Sequence, residues 1–351
     1  MNPKISVLIP MYNRKRWIGA CVDSVLNQTF QDFEIIVRDN CSTDGSVEFL
    51  QENYGKQIST GKLKIFRNPE NLGETGNISA LIKDATGNYL TVLHSDDLFL
   101  PHALQHLYEV AEKTNADVVH QSLLLISPKS GIINDIKDCK PLCYEPNIIN
   151  QVTMLPDDPL YRFKEWITGS TCYDIQYNLF SSKFIWINNI NVTLGHSMFA
   201  ALRWLMLAKV VVKTPVICYI RRDAPDSQSN KFDVSPEIIE KFICGHIDTM
   251  RKIDNQLLEM EFFKNNEPFR YMVNSRFWIV DDNFEFYRRQ FYKNGITPDI
   301  YQAVSNAFKK YFGDDYFLPM FLFNWIHAVA FNKRPDIINF VNTPPDSTKM
   351  I

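Results

Sequence analysis

Over its first 120 residues the chain alternates short apolar runs with amphipathic segments, and this alternation restricts its fold more than any other feature. Residues 5–9 are apolar apart from Ser6 and end at Pro10, the pattern of a strand buried on both faces. Ile18, Cys21, Val22, Val25 and Leu26 then recur at helical spacing and form one apolar stripe. Residues 33–37, 62–66, 89–93 and 116–120 repeat the strand pattern. Helices are expected over 47–54, around Ile78 to Ala85, and from Pro101 through Thr114. Such alternation implies a parallel sheet covered by helices on both faces. Ligands of that architecture sit beyond the carboxyl ends of the strands.

The pattern weakens over residues 121–165, a polar stretch containing prolines. A second set of elements is expected over 166–230, with a helix at 197–207 and strands at 210–212 and 216–220. From 235 onward the sequence predicts helices at 236–262, 268–293, 298–312 and 318–331, several opened by Pro or Ser-Pro. The aromatic residues of this tail exceed what an exposed helix carries. They are expected to be buried within the chain, in a homodimer or against a membrane surface, with Lys309, Lys310, Lys333 and Arg334 flanking the last run. A net charge of -3 offers no basis for nucleic-acid binding. Of seven cysteines only Cys139 and Cys143 are close in sequence, and no zinc-type His-Cys cluster accompanies them. With no leader pattern and no long apolar span, the expected setting is the cytoplasm, with peripheral contact at the inner face of the membrane as an option.

Polar residues gather where the strands end. The first strand runs into Pro10-Met11-Tyr12-Asn13-Arg14 and the second into Asp39-Asn40-Cys41-Ser42-Thr43-Asp44-Gly45. The third is followed by Asn71-Leu72-Gly73 and the fourth by His94-Ser95-Asp96-Asp97. A strand-end Asp can accept the imide proton of a uracil. Asp96 and Asp97 offer hard oxygen ligands to Mg²⁺ or Mn²⁺, which would neutralise a diphosphate leaving group. The competing explanation is that the two acids cap the helix opened by Pro101.

The pieces SVLIPMYNR, SVLNQTF, FEIIVRDNCSTDGS, NLGETGN and LHSDDLFLPHAL together resemble the nucleotide-binding half of the family 2 glycosyltransferases. SSKFI and YIRRDAPDSQS extend a weaker likeness between residues 179 and 229. The resemblance implies the GT-A fold, an α/β, Rossmann-like mixed sheet flanked by helices, followed here by an α-helical extension. It divides the chain into a nucleotide-sugar-binding half (1–120), an acceptor-binding half (121–230) and a helical extension (231–351). It further implies transfer of a hexose or N-acetylhexosamine from a UDP-sugar, usually with inversion, to a saccharide, lipid-linked glycan or peptide acceptor.

Donor contacts are expected from Pro10, Tyr12, Asn13, Arg14, Asp39, Asn71, Gly73, His94, Ser95, Asp96 and Arg221, with Asp96 and Asp97 on the metal. Two departures from the family pattern stand out. His94 replaces the first carboxylate of the usual Asp-x-Asp, and Gly195-His196 replaces the acidic pair that supplies the base. His196 is the expected general base because an imidazole titrates near neutrality, and Asp174 is the alternative. Arg221 and Arg222 either clamp the diphosphate or form a solvated basic turn. Trp166, Tyr173 and Tyr177 either stack against an acceptor sugar or belong to the core. The missing acidic pair also motivates a second reading, a protein that binds nucleotide sugars without turning them over.

Overall fold

The computed structural model describes residues 2–142, 149–168, 175–189, 197–223, 235–280, 287, 290–291, 294–315, 318–319 and 322. The chain divides into two compact units, Met1–Pro225 and Asp226–Ile351. The first unit opens with β1 (Ile5–Met11), α1 (Ile18–Leu26), β2 (Phe33–Asp39), α2 (Ser46–Asn53), α3 (Gly55–Ser59) and β3 (Leu63–Arg67). It continues through α4 (Gly73–Asp84), β4 (Tyr89–Val92), β5 (Leu98–Phe99), α5 (Ala103–Thr114), β6 (Val118–Gln121), β7 (Leu124–Ile126) and β8 (Lys140–Leu142). Last come β9 (Thr153–Met154), α6 (Pro159–Thr168), β10 (Asn178–Ser181), α7 (Ser182–Ile187), α8 (Ser197–Leu207), β11 (Val211–Thr214) and β12 (Tyr219–Arg221).

Eight strands form the main sheet in the order β3-β2-β1-β4-β10-β6-β11-β9. The first four run parallel, as alternation predicts. β10, antiparallel to both β4 and β6, and the antiparallel edge strand β9 make the sheet mixed, as the family resemblance implies. A four-residue strand such as Asn-Leu-Phe-Ser carries no signal of direction, which depends on where the preceding chain emerges. A second sheet, β5-β12-β7-β8, joins the strand expected around 216–220 to short segments that carry no clear strand pattern in sequence. The order β3-β2-β1-β4 also locates the site. The chain leaves β1 in one direction, returns, and places β4 on its other side, so the topological switch lies between β1 and β4.

The apolar stripe of α1 explains its docking. Ile18, Cys21, Val22 and Val25 are fully buried with Ile5, Val7 and Ile9 of β1 and with Leu104 and Leu107 of α5. Each aliphatic side chain so buried contributes about 1.5–3 kcal/mol.

On the amino-terminal side of the sheet one buried carboxylate joins three strands. Glu34 of β2 accepts hydrogen bonds from Ser6 Oγ of β1 (2.6 Å), Lys64 Nζ of β3 (2.6 Å), and Thr86 N and Oγ1 (2.9 and 2.8 Å). Ser6 Oγ in turn accepts from Gly87 N at 2.8 Å, where a β-carbon would lie 2.6 Å from the Ser6 nitrogen. Burial pushes the Glu34 carboxyl upward, but hydrogen bonds from Lys64, Ser6 and Thr86 outweigh it and hold the group below its ordinary range. Its stabilising contribution is therefore complete above the unfolded value of about 4.3 and is lost as pH falls through the lower folded value. Glu34→Gln is expected to lower stability by about 1–3 kcal/mol at pH 7. The deficit should shrink as pH falls below 4, and urea titrations at several pH values would measure it.

The second unit is helical. α9 (Pro236–Glu259) starts with Pro at its first position, and a further helix, Pro298–Phe312, starts behind Thr297 and ends at left-handed Gly313. Ile239, Ile243 and Ile247 of α9 pack with Val304 and Ala307 of that helix and with Tyr287, Phe291, Leu318 and Leu322. The helix expected over 236–262 is divided at Met260, whose extended ψ of 120° separates α9 from α10 (Glu261–Lys264). α11 (Glu267–Val280) covers the start of the segment expected over 268–293. Most of 318–331 lies outside the described residues. Among the described residues no helix is long and apolar enough to cross a membrane.

Candidate active site

The register Met11↔Asp39 across β1 and β2 brings the loops after these strands side by side. Asn13 adopts the left-handed conformation (φ 52°), which Asn tolerates better than most residues. Its amide donates to Ser42 Oγ (2.8 Å), and its side-chain carbonyl accepts from Thr43 N (2.8 Å). Arg14 N donates to Ser46 Oγ (2.9 Å) and Lys15 N to Asp44 Oδ2 (2.9 Å). The polar residues after β1 and β2 therefore lock each other. Pro10 and Tyr12 lie half-buried in the same turn.

Asp39 is fully buried at the end of β2. Both its carboxylate oxygens accept from Ser42 N at 3.1 Å, and Arg67 Nε at the end of β3 lies 3.3 Å from Oδ2. Neighbouring Asn40 stitches the Asn71–Gly73 loop to this edge. Its Nδ2 donates to Asn71 Oδ1 (2.8 Å) and Gly73 O (3.2 Å), and its Oδ1 accepts from Leu72 N (2.9 Å). Asn71 and Gly73 are exposed at the rim.

Beyond β4, His94 and Asp96 are half-buried, whereas Ser95 and Asp97 are buried. Arg14 Nε lies 3.4 Å from Asp96 Oδ2, joining the β1 loop to the β4 loop, and His94 Nε2 lies 3.4 Å from Glu74 Oε1. Asp97 faces inward. Tyr219 OH donates to its Oδ2 (2.6 Å) and Arg222 N to its Oδ1 (2.7 Å). Burial, and then the charge of Asp96, push the Asp97 carboxyl up to about 6. The helix-capping explanation for the two acids fails, because α5 starts at Ala103 behind His102 and makes no side-chain cap.

His94, Asp96 and Asp97 each offer one ligand atom, and these atoms lie within 4.8 Å of one another. Two carboxylates and an imidazole form a donor set that fits a divalent cation. Asp97 already uses both oxygens within the protein, which leaves Asp96 as the carboxylate facing the edge.

Arg221 ends β12 half-buried. The solvated-turn reading of Arg222 is corrected: this residue is only 7% exposed, and burial lowers its pKa from the ordinary value. Trp166 and Tyr177 are core rather than a sugar platform, and Tyr177 packs edge-on against Tyr219. Tyr173, Asp174, Gly195 and His196 lie outside the described residues. Sequence reasoning did not single out Arg67, Trp17 or Tyr219. The signal for Arg67 was its place as the last polar residue of a strand on the ligand edge. Nothing local marks the other two, which reach the site only through packing.

The strand order, with these loops gathered at the carboxyl ends of β1, β2 and β4, defines an α/β unit of the GT-A type. Residues 6–158 match the profile described as Glycosyl transferase family 2. Glycosyltransferase GlyG of Streptococcus pneumoniae is 31% identical over 119 residues, which are 34% of this chain and 38% of GlyG. The match thus spans well under half of that relative. In structure, residues 1–349 of Staphylococcus aureus TarS, solved with UDP-GlcNAc, are similar with a TM-score of 0.58 at 20% identity, covering 87% of this chain and 81% of that fragment. The mannosyltransferase PcManGT of Pyrobaculum calidifontis, solved with GDP-Man and Mn²⁺, gives a TM-score of 0.50 at 13% identity, covering 96% and 88%. At such identities the structural likeness establishes the fold.

Proposed function

We propose that this chain is a metal-dependent glycosyltransferase that moves a hexose or N-acetylhexosamine from a UDP-sugar to a saccharide, lipid-linked glycan or peptide acceptor with inversion. The observation that carries this reading is the convergence of Asp39, the Asn13–Arg14 loop and Asp96 at the carboxyl ends of β2, β1 and β4. The UDP-GlcNAc and Mn²⁺ complexes of the structural neighbours support the choice of ligands.

In this assignment Asp39 reads the uracil imide, and Pro10, Tyr12 and Asn13 support the base and ribose. Asn71 and Gly73 line the rim beside them. His94, Ser95 and Asp96 face the diphosphate, joined by Arg14 and Arg221. A bound Mg²⁺ or Mn²⁺, held by Asp96 with Asp97 behind it, supplies charge neutralisation for the departing diphosphate. His196, or Asp174 in its place, accepts the proton of the acceptor hydroxyl. The acceptor oxygen then bonds to the anomeric carbon from the face opposite the leaving group, and UDP departs with the electron pair of the broken bond. Residues 1–120 hold the donor and 121–230 the acceptor. The helical extension, 231–351, contacts the acceptor, a second copy or the cytoplasmic face of a membrane.

Calorimetric titration of UDP and a panel of UDP-sugars, with and without Mn²⁺, tests the donor site. Metal-dependent binding is expected, with one sugar preferred. His196→Ala should retain donor affinity and lower turnover by roughly 10²–10⁴-fold. Failure to bind any uridine nucleotide would sink the UDP-sugar reading. Binding without turnover on any acceptor would select the non-catalytic reading motivated by Gly195-His196.

A further inference from the structure

Directly after β12 the chain buries a guanidinium beneath the candidate metal residues. Arg222 Nε donates to the backbone carbonyl of Asp96 at 2.6 Å, and Nη1 donates to Gly131 O at 2.9 Å. The Arg222 amide donates to Asp97 Oδ1 at 2.7 Å. The guanidinium carbon lies 4.5 Å from the ring centroid of Trp17, just before α1, and Arg16 lies 4.3 Å from the same ring. One buried side chain thus joins the start of α1, the turn after β4 and the β7–β8 connection.

We propose that Arg222 is a positioning residue for the divalent cation, setting the place of the Asp96 carboxylate by holding that residue's own carbonyl. The inference rests on the assignment of Asp96 to the metal and goes beyond it by naming what aims Asp96. Among the described residues the Asp96 side chain has one ion-pair partner, Arg14, 3.4 Å away and itself half-buried on a loop. The Asp96 backbone, by contrast, is held by a guanidinium that is itself fixed by Gly131 O and the Trp17 ring, on a residue whose amide is tied to Asp97. A planar guanidinium can stack on Trp17 while donating edge-on to two carbonyls, which an ammonium cannot do. Two of its five N–H donors are committed to backbone carbonyls and the residue is only 7% exposed, which places Arg222 to hold Asp96 rather than to clamp a diphosphate.

Charge and geometry make separable predictions. If Arg222 served only to offset Asp96 and Asp97, lysine would replace it. If it aims Asp96, lysine fails. The test measures Mn²⁺ affinity in the presence of UDP for the wild type, Arg222→Lys and Trp17→Leu. UDP binding in EDTA and thermal melting are followed in parallel. Arg222→Lys is expected to weaken Mn²⁺ by roughly 10–100-fold, as loss of an outer-sphere partner does, with metal-free UDP binding within about twofold of wild type. Trp17→Leu retains the guanidinium but removes its platform, and a smaller loss in the same direction is expected. Should Arg222→Lys fail to fold, Trp17→Leu decides the matter by the same criterion. Wild-type Mn²⁺ affinity in a folded Arg222→Lys, or in Trp17→Leu if the lysine variant is unfolded, overturns the inference alone. Absence of metal-dependent UDP binding in the wild type overturns the donor-site assignment and this inference with it.

Discussion

Asp96→Ala is expected to abolish Mn²⁺-dependent UDP binding and to lower turnover on the order of 10²-fold or more, with little change in thermal stability. The fold makes few demands on this carboxylate. It is half-buried, and among the described residues its ion pair is with Arg14 Nε at 3.4 Å. The strong interaction at this position is the one Arg222 Nε makes with the backbone carbonyl, and alanine keeps it. What alanine removes is the carboxylate that faces the ligand edge. A cation at a departing diphosphate supplies several kcal/mol, and each 1.36 kcal/mol lost costs about tenfold in rate. Calorimetry and melting curves on the same preparation give both halves of the result. An Asp96→Ala variant that binds UDP and Mn²⁺ like the wild type would remove Asp96 from the metal site.

Arg162→Met is expected to do the opposite, damaging the fold and leaving donor recognition intact in whatever remains folded. Arg162 of α6 is 1% exposed, and its guanidinium caps the end of α8. Nε donates to Pro156 O (2.9 Å), Nη1 to Leu205 O (3.3 Å) and to Ala208 O, and Nη2 to Lys209 O (2.8 Å). These last carbonyls have no partner within the helix, and the negative end of the helix dipole favours a cation there. Burial lowers the Arg162 pKa from its ordinary value while Asp157 supports the charged form. Methionine matches much of the volume but leaves buried acceptors unsatisfied. Removing one partner of a buried charged network typically costs about 3–5 kcal/mol. For a unit of this size that is a fall in melting temperature on the order of 10 °C. A melting temperature within about 2 °C of wild type would show that water replaces the guanidinium without penalty.

Legibility differed along the chain for reasons visible in particular residues. β1, β2 and α1 were plain in sequence because both faces of the strands, and one stripe of the helix, are apolar, and local burial writes that pattern directly. The helix at 298–312 carried its own punctuation in Thr297-Pro298 and Gly313. The direction of β10 and the second sheet were not legible, since their strands are two to four residues long and their pairing depends on partners far away in the chain.

At the site the same division holds. Asp39, Asn13 and Asp96 could be named from sequence because a strand-end position and a chemical type are local properties, and a parallel sheet sends all such ends to one edge. The roles of Asp97, Arg222, Trp17 and Tyr219 could not. Asp97 and Asp96 are adjacent in sequence and chemically identical, yet one turns into Tyr219 and the Arg222 amide while the other faces the edge. Residue types and spacing determined that this chain gathers polar strand ends at one edge of the sheet and which acids stand there. Tertiary packing alone decided which acid is committed to the protein interior and which is left for a ligand. That choice depends on where β12 arrives, more than 120 residues later, and on hydrogen-bond partners that no local pattern encodes.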